Sequence, residues 1–282
     1  MTNTTDLLGR LEACYDAIPR DDGAEPVDVG PFVLFIRRGP GWPYYARPRL
    51  GASGFTPADV TAVLAEQRRR DVPAAIEWVD DVTPELLPAV RSLGHEVHLA
   101  PLMVLSPAAL PTAPTDPLAV SGSGVRLLDP DDPAFADLAA QSSAVAHLAF
   151  GAAGTEIGAA GPDERDAQVK PFSADMLEHI AARTRTGRRA EAIATTPDEG
   201  VIARGSYQAV GGAAEIVGVG TLPSARRRGL GAAISAALAR HALDQGNDTV
   251  FLSAANENVL RVYASIGFHR VGTACILELP PS

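Results

Sequence analysis

The sequence predicts an α/β (α+β) fold with two domains, each containing a mostly antiparallel sheet flanked by helices. A segment at 107–124 (PAALPTAPTDPLAVSGSG) is rich in proline, serine and glycine and cannot present a periodic apolar face, so it predicts a linker. Strand-like runs at 190–196, 201–210 and 213–222 are separated only by turn residues, which is typical of an antiparallel meander. Apolar residues at helical spacing from 229 onward then predict a helix.

The predicted division gives an N-terminal domain at 1–106 and a C-terminal domain at 125–282. Helix-capping residues, apolar spacing and turn residues predict the elements of each. In the N-terminal domain they are a helix at 6–18, a hairpin of 31–38 and 43–49, helices at 56–70 and 83–93, and strands at 73–79 and 95–105. Besides the meander, the C-terminal domain has strands at 125–130, 249–255 and 269–279, helices at 133–148, 173–185 and 257–266, and a Gly-rich loop at 151–172.

Charge and composition exclude several classes of function. The formal net charge of −10 repels phosphate backbones, so nucleic acid is not an expected partner. No stretch approaches the ~20 apolar residues that span a bilayer, and the first residues lack the basic flank of a signal peptide. Cys14, Cys275 and the histidines match no metal-ligand spacing. We therefore expect a cytoplasmic protein that needs no membrane and no metal.

A segment of arginines and glycines, Arg226 to Ala232 (RRRGLGA), joins the end of the meander to the start of the predicted helix. At such a junction, free backbone N–H groups can hold a pyrophosphate against the positive end of the helix, and the glycines let it approach. Alone this signal is weak, because a solvated arginine run before a flexible turn gives the same pattern.

A second segment, 256–268 (NENVLRVYASIGF), gives the first one its context. Together they resemble the GNAT superfamily of acyl-CoA-dependent N-acyltransferases, whose phosphate loop reads Q/R-x-x-G-x-G/A and whose later segment reads N-x-x-A-x-x-L-Y-x-x-x-G-F. The first motif matches in full. In the second, two apolar substitutions, Val259 and Val262, accompany four matches at the right spacing: Asn256, Tyr263, Gly267 and Phe268. The resemblance covers about residues 125–282.

The resemblance implies that acetyl-CoA, as acyl donor, binds along the last meander strand and the phosphate loop. Gly218 and Gly220 weaken a strand unless a bulge or a close-approaching backbone requires them, and the family uses a bulge there to separate two strands. Asn256 also suits the cap of the short helix. The implied cofactor-binding residues are Val219, Gly220, Thr221, Arg226, Arg227, Arg228, Gly229, Leu230, Gly231, Ala232 and Asn256.

Two side chains are predicted to be catalytic. Tyr263 is interpreted as a general acid, because a phenol with a pKa of about 10 can protonate a leaving thiolate whose conjugate acid has a pKa of about 8.5. Glu215 is the candidate base for the acceptor amine, since its AEIV context and its spacing from Arg226 resemble the base strand of histone-acetylating relatives. Glu191 is the fallback, and an ordered water can also serve. Core packing of Tyr263 and a solvated Glu215 remain the alternatives.

The Gly-rich loop at 151–172 would overhang the acceptor site in the GNAT arrangement. Its acidic residues Asp163, Glu164 and Asp166 could attract a cationic amine, although a solvated surface loop is the alternative that the charges favour.

The element order of the N-terminal half resembles the closing part of the C-terminal domain. With Gly94 placed on Gly267, Thr83 stands where Asn256 is and Val90 where Tyr263 is, so both chemical groups are lost. The sequence therefore predicts a degenerate GNAT-like domain, with an unrelated α/β domain as the alternative.

The predicted function is acetyl-CoA-dependent N-acetylation of an amine, on a small molecule or a protein, by direct attack in a ternary complex. The alternative is a non-catalytic acyl-CoA-binding protein that acts as a regulator or sensor. A homodimer is left open by the sequence.

Overall fold

The computed structural model describes residues 4–111, 124–152 and 154–280. The chain forms two compact units. The first unit comprises the residues up to 103 together with 253–260 and the residues from 270 onward, and the second comprises 104–252 and 261–269. Most of the predicted linker lies outside the described residues, so the domain boundaries stay a prediction.

The first unit begins with α1 (Thr4–Asp21) and a three-stranded antiparallel sheet of β1 (Glu25–Val29), β2 (Phe32–Ile36) and β3 (Arg47–Pro48). Then follow α2 (Pro57–Arg69), β4 (Ala75–Val79), α3 (Leu86–Ser92) and β5 (His98–Leu105). Its core is formed by buried apolar side chains of α2, β4 and α3, such as Val63, Trp78 and Leu86, together with Cys275 and Leu277 from the last strand.

The second unit contains β6 (Gly124–Leu127), α4 (Phe135–Gly151), α5 (Pro162–Gln168) and α6 (Ala174–Arg185). The meander follows as β7 (Arg189–Thr196), β8 (Gly200–Val210) and β9 (Ala213–Thr221), and after it come α7 (Leu230–Asp244) and β10 (Thr249–Ser253). The last elements of the chain are α8 (Glu257–Ala264) and β11 (Phe268–Glu278).

Helix α7 packs closely on the meander because its apolar face meets a glycine there. Ile234 and Leu238 are fully buried one turn apart. A Cβ atom on Gly205 of β8 would lie 2.7 Å from Ile234 Cγ2 and 3.2 Å from Leu238 Cδ1. Only glycine therefore allows this approach of helix and strand.

Eight strands form one sheet in the order β4-β11-β5-β10-β9-β8-β7-β6, and a second sheet contains β1, β2 and β3. The α+β class and the mostly antiparallel pairing are confirmed. The expectation that each half of the chain has a separate sheet is not met, because Ala274–Glu278 of β11 pair antiparallel with Ala75–Val79 of β4.

Two local predictions need correction. The predicted hairpin exists only as a short pairing of β2 with β3, and β2 pairs mainly with β1, which was not predicted. The Gly-rich segment at 151–172 contains a helix, α5, that begins with Pro162 and is capped at Gly161 by Glu164.

Candidate active site

A β-bulge interrupts β9 where the sequence has its paired glycines. Arg204 of β8 pairs with Gly220, but Ser206 pairs with Val217, so β9 has one residue more than β8 between these pairs. Gly218 lies in this bulge with φ of 63°, a left-handed conformation that favours glycine. The predicted bulge is therefore present in the fold.

Beyond the bulge, one edge of β9 is directed away from β8. The N–H of Leu222 donates to the carbonyl of Ile202 on β8 at 2.9 Å. Because backbone groups of successive strand residues alternate in direction, those of Val219 and Thr221 point to the opposite side. We call these backbone groups of Val219 and Thr221 the open edge of β9.

The neighbour on that side, β10, pairs with β9 over only three residue pairs among the described residues. The parallel register runs from Thr249 with Ala213 to Phe251 with Glu215 and ends there. The strands therefore separate just before the bulge, and an extended ligand can pair with the open edge as a further strand.

The start of α7 has free N–H groups. Gly229 is its N-cap residue, with φ of 79° and no side-chain cap. The carbonyl of Gly229 accepts the first helical hydrogen bond, from Ala233 N–H at 3.1 Å. The N–H groups of Leu230, Gly231 and Ala232 consequently have no acceptor within the helix. We call Arg226 to Ala232 the phosphate loop.

The three arginines of the phosphate loop differ in their contacts. Arg226 donates to the carbonyls of Ala149, Ala152 and Glu156 at 3.0–3.1 Å, so its guanidinium holds the end of α4 and the following segment. Arg228 pairs with Glu199 at 3.1 Å and is about half exposed. Arg227 is exposed and has φ of 66°. Because the guanidinium of Arg226 is already bound to these carbonyls, Arg227 and Arg228 are the better candidates for supplying positive charge near a phosphate.

Glu215 lies at the point where β9 and β10 separate. It is 8% exposed and stands opposite Gln208 on β8 and Phe251 on β10. The expectation of a solvated glutamate at a strand start does not describe this position, because its side chain is buried.

Tyr263 of α8 is buried, with 7% of its surface exposed. Its ring lies 6.1 Å from that of Phe268, measured between centroids. Burial raises the pKa of Tyr263 to about 12, and the hydroxyl of Ser235 on α7 offsets part of that rise. The phenol therefore keeps its proton throughout the neutral range.

Glu191 is part of a buried ionic network and is not available as a base. Burial would raise the pKa of this carboxyl, but the charges of Arg204 and Arg189 and a hydrogen bond from Ser142 lower it to about 2. Its oxygens contact Arg204 at 2.8 Å, and also Arg189 and Ser142. A carboxylate held in this way is a weak proton acceptor.

Asn256 caps α8. Its side-chain oxygen accepts from the N–H groups of Asn258 and Val259 at 3.0 and 3.1 Å. The capping role expected from the sequence is therefore present, and the side chain is exposed. Contact of Asn256 with a cofactor stays a prediction.

Two of the three acidic residues predicted to attract an amine have structural contacts. Glu164 accepts from the N–H of Gly161 at 2.7 Å, and Asp166 pairs with Arg165 at 2.7 Å. Asp166 also lines a cavity of about 310 Å³ together with Asp137, Gln141 and Val169. Helix α5 is thus fixed at its start while one face borders an open, acidic space.

Within the part of the chain that the structure describes, no group of three or more His, Cys, Asp or Glu side chains is arranged to hold a metal ion. No described helix is both long enough and apolar enough to cross a bilayer.

The segment of the chain that holds this geometry is similar to a known protein family. Residues 203–277, which include the bulge, the phosphate loop and Tyr263, match the family described as FR47-like protein. No curated protein sequence matches the chain significantly.

Solved structures resemble the chain over nearly its whole length. A GCN5-related N-acetyltransferase from Kribbella flavida has a TM-score of 0.67 at 21% identity, covering 98% of this chain and 96% of that one. A GCN5-related N-acetyltransferase from Sphaerobacter thermophilus has a TM-score of 0.56 at 17% identity, covering 100% and 95%. A GCN5-related N-acetyltransferase-like protein from Streptococcus suis 89/1591 has 0.53 at 12%, covering 98% and 100%. The chain therefore has the GNAT fold, and the resemblance that the two motifs carry is confirmed.

Sequence reasoning missed one residue of this region. Arg204 lies in the apolar run VIARGSYQAV and is 9% exposed, yet it donates to the carbonyl of Gly218 in the bulge at 2.9 Å. A charged residue within a predicted buried strand was the available signal, because such a residue must have a partner.

Proposed function

We propose that the chain is an acetyl-CoA-dependent N-acetyltransferase that acts by direct attack in a ternary complex. The observation that carries this proposal is the separation of β9 from β10 at Glu215, next to a bulge and an open edge. The free N–H groups at the start of α7 adjoin this edge, since a Cβ atom on Gly231 would lie 3.9 Å from Val219 Cγ1.

The residues present fit acyl-CoA. The open edge of β9 offers backbone donors and acceptors to the amide groups of an extended pantetheine arm. The N–H groups of Leu230, Gly231 and Ala232 suit the pyrophosphate, with Arg227 and Arg228 adding positive charge. When bound, acetyl-CoA supplies a thioester whose acyl carbon an amine can attack.

Glu215 is proposed to accept the proton that the acceptor ammonium must lose before its nitrogen attacks. An alkylammonium has a pKa of about 10, so at neutral pH a base is needed. In support of this role, Glu215 lies in the last residue pair before the two strands part, so its carboxylate would border the space that the strands leave. A water held by this carboxylate can pass on the proton.

Tyr263 is proposed to donate its proton toward the sulfur as the carbon–sulfur bond breaks. With a pKa of about 12, the phenol is fully protonated when the reaction begins. Because a free thiol has a pKa of about 8.5, Tyr263 acts first as a hydrogen-bond donor to the developing thiolate. The new bond joins the acceptor nitrogen to the acyl carbon as the carbon–sulfur bond breaks. The proton that the attacking nitrogen sheds is relayed through the Tyr263 hydroxyl to the sulfur, so free CoA leaves as the thiol and Tyr263 ends the step protonated.

The acceptor is proposed to be an amine of a small molecule or a protein. Asp137 and Asp166 border the cavity beside α5, and their charge favours a cation in that space. In keeping with the net charge of −10, nucleic acid is not proposed as a partner, and the cytoplasmic location stays an expectation.

The N-terminal half is proposed to be a degenerate GNAT-like domain, which makes the chain a tandem protein. In support, α3 and α8 each follow a strand and are each followed by a glycine of positive φ, Gly94 at 78° and Gly267 at 101°, before the next strand begins. Val90 is fully buried and offers no acid, and Thr83 is buried as well.

A non-catalytic acyl-CoA-binding sensor is the second candidate. The observation that favours it is the burial of Tyr263 beside Phe268, which a core aromatic residue would also show.

One experiment separates the two candidates. Acetyl-CoA binding is measured by calorimetry, and thiol release is followed with a chromogenic thiol reagent across a panel of polyamines, aminoglycosides, amino acids and peptides. Binding with amine-dependent thiol release supports the enzyme. Tight binding without release across the panel supports the sensor, and absence of binding at millimolar acetyl-CoA rejects both.

A further inference from the structure

We propose that Arg204 is a positioning residue for the acyl-CoA site: it fixes the β9 bulge and so directs the open edge toward the ligand. The ligand in this inference rests on the proposed function, whereas the action of Arg204 on the bulge concerns this chain alone.

The contact that carries the proposal joins Arg204 to the bulge. Its Nη1 donates to the carbonyl of Gly218 at 2.9 Å. A Cβ atom on Gly218 would lie 2.5 Å from that same nitrogen, so the guanidinium is packed directly against the glycine. The carbonyl of a bulge residue is displaced from the regular ladder, and here a side chain supplies its donor.

The guanidinium itself is fixed by further contacts. Nη2 pairs with Glu191 at 2.8 Å, and Nε donates to Ser142 on α4 at 3.2 Å. Glu191 is also paired with Arg189 and accepts from Ser142. All three nitrogens of the planar guanidinium are thus in contact with a partner. The side chain therefore fixes the bulge relative to α4 and β7.

The bulge decides which backbone groups face β10. Inserting or removing one residue in a strand reverses the side to which the N–H and C=O groups of every following residue point. If the bulge slips past Gly218, the groups of Val219 and Thr221 turn toward β8 and the open edge is lost. A residue that holds the bulge therefore acts on binding without touching the ligand.

The first test uses the ligand-free protein. Amide hydrogen exchange of Gly220 and Leu222, whose N–H groups are directed toward β8, is compared among wild type, Arg204→Met and the control Arg47→Met. Arg47 is a matched control because it is 7% exposed and pairs with buried Glu77 on β4 of the first unit. We expect exchange at these amides to accelerate about tenfold or more in Arg204→Met and to stay unchanged in Arg47→Met.

The second test separates positioning from stability. Arg204→Met leaves the charge of Glu191 less compensated, and adding Glu191→Gln removes that charge while preserving the shape of the side chain. We expect the double variant to regain much of the lost Tm. Its Kd for acetyl-CoA should remain raised by about tenfold or more, because the strand hydrogen bonds of a misdirected edge are each worth up to that factor.

The outcomes are distinct. Recovery of Kd together with Tm in the double variant, or unchanged exchange at Gly220 and Leu222 in Arg204→Met, overturns the proposal. If Arg204→Met does not fold, Arg204→Lys retains the positive charge but not the fork, and the same exchange and Kd changes are expected of it. If wild type does not bind acetyl-CoA, the proposed function fails, while the exchange comparison still decides whether Arg204 holds the bulge.

Discussion

The N-terminus of α2 is capped by side chains, whereas the N-terminus of α7 has no side-chain cap. At α2, the Thr56 side chain accepts from the N–H of Asp59 at 3.3 Å, and Asp59 accepts from the N–H of Thr56 at 2.9 Å. At α7, Gly229 offers no side chain, and arginines come before it. The first start is closed by its own side chains, and the second leaves N–H groups for a ligand.

A missing cap is not by itself a binding site. Helices α3 and α4 also lack a side-chain cap. What distinguishes α7 is its neighbour, because Gly231 adjoins Val219 and hence the open edge of β9. A second open backbone surface, next to an uncapped helix start, therefore defines the candidate site.

The largest effect is expected at Gly231, the second residue of α7. Gly231→Glu places a negative charge in the proposed pyrophosphate site, so the Kd for acetyl-CoA should rise by ~10²-fold or more, as charge-assisted hydrogen bonds are lost. The fold should tolerate the change, because a Cβ atom there meets only Val219 at 3.9 Å. Calorimetric titration measures the effect.

The matched control is Ala58→Glu, which places the same side chain at the second position of α2, after Pro57. An acidic residue in the first turn of a closed helix is mildly stabilising, so we expect an unchanged Kd. Equal loss of affinity in both variants would contradict the contrast between the two starts.

The next largest effect is expected from Tyr263→Phe. Tyr263 and Tyr207 are both buried and both contact α7, so their variants can be compared. Removing the proton donor should lower turnover by ~10²-fold with little change in acetyl-CoA binding. Because the pKa of Tyr263 is raised to about 12, wild-type activity should show no limb from its ionisation below pH ~10. Steady-state thiol release, measured from about pH 6 to about pH 10, gives both the turnover of the variant and the pH dependence of the wild type.

Tyr207→Phe is the control, since the Tyr207 hydroxyl contacts His241 Nδ1 at 3.0 Å, in the last turn of α7. Its turnover should stay close to wild type. If Tyr263→Phe also retains full turnover, Tyr263 is a core aromatic residue and the sensor becomes the better account.

A smaller effect is expected for Glu215→Gln. Turnover at pH 7 should fall about tenfold, and the deficit should shrink as the pH approaches the amine pKa of about 10, where the acceptor needs no base. The measurement is the ratio of variant to wild-type kcat/KM across that range. A deficit that does not depend on pH would assign Glu215 a structural role.

The smallest effect on the site is expected from a substitution at the capped N-terminus of α2. Thr56→Ala should lower the free energy of unfolding by about 1 kcal/mol, because the N–H of Asp59 loses its acceptor. Its Kd for acetyl-CoA should match that of wild type. Urea unfolding and calorimetry provide the two quantities, and a weakened Kd would show that the two starts are not independent.

Elements defined by local pattern were predictable from the sequence. The meander was placed to within about one residue of Arg189–Thr196, Gly200–Val210 and Ala213–Thr221, because turn glycines and apolar runs delimit each strand. Helix α5 was missed because its polar sequence has no apolar period, although Pro162 and Glu164 form an N-terminal capping pattern.

Features set by distant contacts were not predictable. The pairing of β11 with β4 depends on which strands meet in space, and no local signal encodes it. Likewise, the direction of Arg226 toward carbonyls of α4 and the following segment, and of Arg204 toward Gly218, follows from packing. Sequence motifs identified the residue types of the site but not which arginines hold the backbone in place.

An NMR titration of ¹⁵N-labelled protein with acetyl-CoA shows whether the ligand binds the open edge of β9 and the start of α7. We expect saturable shifts that are largest at the amides of Val219, Thr221, Leu230 and Gly231, with the amide of Asp59 in α2 unmoved. Saturable shifts confined to other parts of the chain, or none at millimolar acetyl-CoA, would show that the ligand does not bind at this site.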